Sequence, residues 1–152
     1  MTVIPNQHLW LDNVLSYRTR VELKNLSQLI GYIKLNMEAL KLKLSDDLLF
    51  AVTEVIKNND LVIIGAEFLI PVDKQTQSSC HFIFKPKFRL ENALMLKYQG
   101  NISDISSVKG ALYEHAINND KDILTNVYYQ LKQLDGEKAV INAYVGVNGN
   151  VL

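Results

Sequence analysis

Apolar residues recur along this chain at two spacings, and the spacing changes in the same order twice. Leu23, Leu26, Ile30, Ile33, Met37 and Leu40 advance by steps of three and four, which places them on one stripe of a helix. Asn25 stands where it can cap the start, with Gln28 three residues on. Farther along, Ile105, Val108, Leu112 and Ala116 form a second stripe. Ser103 is its expected N-cap, and Asp104 suits the positive end of a helix. Gly31 and Gly110 fall at matching places in the two helices. A glycine inside a helix costs roughly 1 kcal/mol relative to alanine. Either the two are incidental, or each marks a close approach to neighbouring backbone.

Extended segments surround each stripe. Leu11-Asp12-Asn13-Val14-Leu15 precedes the first and Leu90-Glu91-Asn92-Ala93-Leu94 the second. An acid and an Asn between apolar residues read as a turn joining two strands, because Asn tolerates a left-handed backbone. After the first stripe, mostly apolar segments 48–56 and 61–72 flank Lys57-Asn58-Asn59-Asp60. After the second, residues 127–134 and 139–147 flank Asp135-Gly136-Glu137-Lys138. Asp-Gly between apolar runs predicts a tight hairpin, since Gly accepts the positive φ required. Pro71 and Pro86 confine their positions to a strand end, an edge or a bulge. Gly146-Val147-Asn148-Gly149-Asn150 reads as a frayed terminus.

The order is therefore strand, strand, helix, strand, strand, twice. It predicts an α+β fold built from duplicated ββαββ modules, residues 1–73 and 80–152, with 74–79 as a polar linker. The sheets are expected to be antiparallel, with one helix per module, and the modules to pack about a pseudo-twofold axis. Such packing creates a groove between them.

Composition narrows the function classes. The chain has 152 residues, 48% hydrophobic, with 16 Lys+Arg against 16 Asp+Glu. Zero formal charge argues against direct nucleic-acid binding and against a polybasic membrane-surface role. A single cysteine, Cys80, excludes an intramolecular disulfide and a multi-cysteine metal site. His8, His81 and His115 lack metal-ligand spacing, and the glycines are too dispersed for a phosphate-cradling loop, so neither a metal nor a cofactor is expected. Cys80 and His81 are neighbours, which predicts opposite strand faces rather than a catalytic pair. The N-terminus does not read as a signal peptide, and residues 61–72 are too short to span a bilayer. A cytoplasmic location is expected.

Candidate site residues follow from the repeat. Ile70-Pro71-Val72 corresponds to Val145-Gly146-Val147, and counting back pairs Glu67 with Asn142. Glu67 interrupts the most apolar strand of the chain. A carboxylate there either faces solvent on an edge, forms a structural ion pair, or waits at the groove floor for a cation or donor. Trp10, Tyr98, Tyr113 and Tyr144 are candidate pocket walls, since an aromatic ring stacks and a tyrosine hydroxyl orients a ligand. Tyr144 shares a strand face with Asn142.

The two-module layout resembles the GyrI-like family, the effector-binding domain of bacterial multidrug-sensing transcription regulators. Ala93-Leu94-Met95-Leu96-Lys97-Tyr98-Gln99-Gly100, running into the second helix, is similar to the family's strand ending in Gly. Ile141-Asn142-Ala143-Tyr144-Val145-Gly146-Val147 is similar to its last strand. The resemblance implies a cleft between the modules that takes hydrophobic, often cationic, small molecules. It also implies an acid and aromatic rings lining that cleft. The family's central Glu falls on Asn142, a departure that leaves Glu67 as the substitute acid. The two modules consume the chain and leave no segment for a helix-turn-helix, so a stand-alone binding domain is expected rather than a complete regulator. Some GyrI-like proteins are hydrolases that use a Glu and a Tyr in the cleft. Glu67 with Tyr98 or Tyr113 is the arrangement to look for, although the expected acid is absent at Asn142. Two classes of function remain: small-molecule binding for sensing or sequestration, and a protein-interaction module with a degenerate cleft.

Overall fold

A computed structural model describes residues 2–148. Six strands form a closed antiparallel sheet, and two helices pack on it, which is an α+β fold. The strands are β1 (Val3–Glu22), β2 (Leu49–Asn58), β3 (Leu61–Pro71), β4 (Ile83–Asn101), β5 (Asp122–Asp135) and β6 (Lys138–Asn148). Helix α1 spans Leu26–Ala39 and α2 spans Ser106–Asn118, each entered through a short 3-10 turn. Neighbours around the sheet run β1, β3, β2, β5, β6, β4.

The expected ββαββ order needs one correction. Neither Leu11–Leu15 nor Leu90–Leu94 is a hairpin turn, because each lies inside one long strand, β1 or β4. Each long strand serves two partners instead. β1 pairs with β4 from Val3 to Ser16 and with β3 from Val14 to Glu22. β4 pairs with β1 up to Leu96 and with β6 from Ala93 onward. Asn13 takes a left-handed φ of 57° at the hand-over in β1, so the asparagine signal marks a bend within a strand. Pro86 lies before Ala93, where β4 is paired with β1 alone, and Pro71 ends β3.

Each half is thus strand, helix, strand, strand, and the registers agree between halves. Leu11 and Leu90 are 79 residues apart, as are Phe50 and Tyr129. β2 and β5 meet over only three pairs, Leu49–Gln130, Phe50–Tyr129 and Ala51–Tyr128, and exchanging the halves returns the same three. Leu9–Leu90 and Leu11–Phe88 exchange likewise around the Trp10–Arg89 pair. Glu67 lies across from Arg18 as Asn142 lies across from Lys97, the correspondence expected from the sequence.

The two hairpins close as their turn residues dictate. Asn59 (φ 57°) and Gly136 (φ 61°) supply the positive φ that each two-residue connection needs. Helix starts differ from expectation. Asn25 makes no capping bond and donates to Glu22 instead, at 3.2 Å. In the second half Asn101, not Ser103, is the cap, accepting from the Ser103 amide at 2.8 Å. Leu40 is exposed, whereas Leu23, Leu26, Ile33 and Met37 are buried, as are Ile105, Val108, Leu112 and Ala116. Side chains added at Gly31 or Gly110 would meet open space, so neither marks a close approach.

Alternation along the strands divides the core in two. Phe50, Phe68, Leu94, Tyr129 and Val145 join the helices in the larger core. Their strand neighbours Leu49, Leu69, Ala93, Met95 and Tyr144 pack with Leu9, Leu11, Val14 and Leu90 on the opposite face. Residues 73–82 hold neither helix nor strand, and Cys80 and His81 lie there rather than in a strand. The Ser78 and Ser79 hydroxyls tie this segment down by accepting from the Phe84 and Phe82 amides. Gly146 and Val147 belong to β6, which corrects the expected fraying, and Gly149 and Asn150 lie outside the described residues. No helix among them is long and apolar enough to cross a membrane.

Candidate functional site

β2 and β5 pair over only three residues, and just past them the Leu131 amide donates to the Leu48 carbonyl at 2.9 Å. A register shift lies between Val52 and Glu54 where β2 pairs with β3, and another between Leu131 and Gln133 where β5 pairs with β6. A bulge adds a residue to one strand and increases its local twist, which carries the strand away from its neighbour. Each departing strand leaves a cleft closed on its far side by a helix.

The larger cleft, about 330 Å³, joins both halves. Leu23, Val52, Val62 and Ile64 come from the first half; Ile105, Val127, Tyr113 and Tyr129 come from the second. Polar groups stand among them: Ser103, Ser106 and Lys109 on and before α2, Asn126 on β5, and Glu54 and Lys57 on β2. Lys109 Nζ sits 5.4 Å from the centre of the Tyr113 ring, one helical turn away on α2. Glu54 is already held by Arg20 at 2.6 Å. Tyr129 is 3% exposed, and its hydroxyl has no hydrogen-bond partner among the described residues. Burial, with Tyr113 adding to it, pushes the Tyr129 hydroxyl up to about 12. It therefore stays protonated, a donor facing the cleft at all ordinary pH values.

The second cleft, about 310 Å³, repeats the first one half along the chain. Ser27 stands where Ser106 does, Asp47 where Asn126 does, and Leu131 and Lys132 where Val52 and Thr53 do. Its character differs. Lys132 and Asp47 pair at 2.8 Å, and Lys34 replaces Tyr113, so no aromatic ring lines it.

Glu67 lies on the other face of the sheet, away from both clefts. Its carboxylate accepts from the Ser16 hydroxyl at 2.5 Å and from Lys85 at 3.1 Å, with Arg18 at 3.8 Å. The side chain is 13% exposed. Burial pulls its pKa upward most strongly, but Ser16, Lys85 and Arg18 together outweigh that and hold it below the ordinary glutamate value. Of the three readings open for Glu67, the geometry is that of an ion-paired carboxylate whose cations come from this chain. Tyr128 lies close enough for the Glu67 charge to help burial raise its pKa.

The other candidates are dispersed. Tyr144 is 8% exposed in the smaller core, and Asn142 beside it is within side-chain hydrogen-bonding reach. Tyr98 donates its hydroxyl to the Asn101 carbonyl at 2.8 Å near the start of α2. Trp10, 54% exposed, packs against His8 and lies under Arg89 on the β1–β4 ribbon. Tyr113 alone among them lines the larger cleft. Glu67 therefore meets neither Tyr98 nor Tyr113, and the arrangement considered for hydrolysis is not assembled. Lys57 and Lys109 were not singled out from the sequence, although Lys109 and Tyr113 stand four apart on one helix. Among the described residues no cluster of His, Cys, Asp or Glu is arranged to hold a metal ion.

Neither a protein-family model nor a curated protein sequence matches the chain. Solved structures do. The C-terminal domain of EcmrR matches with a TM-score of 0.63 at 14% identity, covering 97% of this chain and 99% of that domain. EcmrR in its complex with DNA gives a TM-score of 0.67 at 13% identity, covering 96% of this chain and 57% of EcmrR, so this chain spans little more than half of that protein's length. A hydrolase from Listeria innocua matches with a TM-score of 0.53 at 9% identity, covering 93% of this chain and 91% of that one. At these identities the likenesses establish a shared fold.

Proposed function

We propose that this chain binds small hydrophobic molecules in the larger cleft between its halves, to sense or sequester them. The observation that carries the reading is the cleft itself, about 330 Å³, walled by apolar side chains of both halves with Tyr113 and Tyr129 among them. Concave apolar sites with a few convergent polar groups are where proteins take small ligands. The likeness to the EcmrR C-terminal domain and the GyrI-like layout of the sequence support the same reading. Tyr113 is the ligand-contacting residue carried forward from the sequence, with Tyr129 beside it. The Glu67 cluster belongs to the fold, because its charge is already answered by Lys85 and Arg18.

A thermal-shift titration with neutral naphthylacetamide tests this. Binding to the native state raises the midpoint by mass action, and a hundredfold excess over Kd adds about 2.7 kcal/mol. The upward shift is expected in the wild type and is expected to be much reduced in Tyr113→Ala, which removes one wall of the cleft.

One observation favours a second reading. Ile56 and Leu61 are exposed on one face near the end of the β2–β3 hairpin, while Val55, exposed on the opposite face, lines the cleft. An apolar surface of this kind suits a protein partner. It becomes the better account if no small molecule shifts the midpoint.

A further inference from the structure

The charges around the larger cleft do not match the cationic ligand that the sequence resemblance implies. Three charged side chains line it: Glu54, Lys57 and Lys109. Glu54 is neutralised by Arg20. Lys57 and Lys109 have no carboxylate partner among the described residues, and Lys109 rests against the Tyr113 ring. Asp104, in the turn before α2, is not itself part of the lining, and its charge reaches Tyr98. The uncompensated charge at the cleft is positive.

The hydrogen-bonding groups point the same way. Tyr129 is 3% exposed and lines the cleft, and its hydroxyl makes no hydrogen bond to the described residues, so it is available to donate. Ser106 sits at the start of α2, where backbone N–H groups and the helix dipole favour negative charge. Around them Val52, Val62, Ile64 and Val127 offer an apolar floor. A lipophilic cation placed here would gain no free carboxylate and would meet two ammonium groups. An anion on an apolar body would answer Lys109 and accept from Tyr129, with the Lys57 charge adding to the attraction.

We infer that the cleft selects hydrophobic carboxylates, an aryl or alkyl body in the apolar part with its carboxylate toward Lys109 and the Tyr129 hydroxyl, and with Lys57, farther along β2, adding positive charge at the rim. This inference rests on the ligand-binding reading above and adds the sign of the ligand's charge.

Isothermal titration of the whole chain with three probes that share one ring system decides the matter. These are naphthylacetate, neutral naphthylacetamide and naphthylethylammonium. The carboxylate is expected to bind at least about tenfold more tightly than the ammonium. Lys109→Met and Lys57→Met are each expected to lower the ratio of carboxylate to amide affinity, and Glu67→Gln to leave that ratio as it is. Tyr129→Phe provides an independent variant, expected to lower the same ratio without altering the surface charge. Ammonium binding as tight as carboxylate binding, or ratios unmoved by the lysine variants, overturns the inference while leaving small-molecule binding in place. Failure of all three probes to bind overturns the binding reading itself.

Discussion

Phe50 and Tyr129 face each other across the seam between β2 and β5, their rings stacked 5.2 Å apart at an interplanar angle of 28°. They are counterparts in the two halves, and they form the middle one of only three residue pairs that join β2 to β5. Phe50 also touches Phe68 at 5.5 Å, and Tyr129 reaches the larger cleft. One contact therefore closes the sheet and forms part of the cleft floor.

Phe50→Ala removes the centre of that seam. Truncating a fully buried phenylalanine costs about 3–5 kcal/mol. Urea denaturation is expected to show a loss in this range, while exposed Leu35→Ala changes stability by less than about 0.5 kcal/mol. A loss below about 1 kcal/mol for Phe50→Ala would mean that the seam is not what holds the halves together.

Asn13 and Asn92 stand at equivalent places in their motifs, but only Asn13 has a positive φ. A residue with a Cβ and no local hydrogen-bonding side chain pays about 1–2 kcal/mol in the left-handed region. Asn13→Ala is therefore expected to cost more than Asn92→Ala, and Asn13→Gly to be tolerated. Equal costs for the two alanine variants would contradict the bend at Asn13.

Much of this architecture was legible in the sequence, and the pair of asparagines shows where legibility stops. The motif around Asn13 correctly signalled left-handed backbone, but turns and in-strand bends use the same residue types. What separates them is which strands lie alongside, and that is a long-range fact. Helix stripes were legible because burial follows the helical period, down to Val108, Leu112 and Ala116. Gly136 was legible because a tight hairpin leaves few alternatives. The cleft was not. Lys57 and Lys109 lie on different halves, and only the divergence of β2 from β5 brings both to its lining. Glu67 was conspicuous as a carboxylate in an apolar strand, but its partners Ser16 and Lys85 come from strands distant in sequence.

The Glu67 cluster makes stability depend on acid. Its carboxyl titrates lower in the folded chain than the ordinary value of 4.5, so the unfolded chain takes up the proton first as pH falls. The stabilisation is complete above that ordinary value and is lost as pH drops through the folded one. Glu67→Gln is expected to flatten this part of the curve of stability against pH. An acid limb identical in the variant would show that other carboxylates set it.

Tyr129 governs the alkaline side. Its folded pKa of about 12 exceeds the ordinary 10.0, so above pH 10 the unfolded chain ionises this group first. The stabilisation is whole below pH 10 and is lost as pH rises toward 12. Tyr129→Phe is expected to remove part of this alkaline loss. At neutral pH it should cost less than about 1 kcal/mol, since the hydroxyl it deletes has no hydrogen-bond partner among the described residues.

The most direct test of the account is where a neutral ligand lands. Amide chemical shifts of the isotopically labelled chain, followed while naphthylacetamide is added, report this residue by residue. The account predicts changes at Val52, Glu54, Ser106, Lys109, Tyr113 and Val127, with Arg18, Glu67, Asn142 and Tyr144 on the other face unmoved. Changes centred on Glu67 and Tyr144, or none at any concentration, would contradict it.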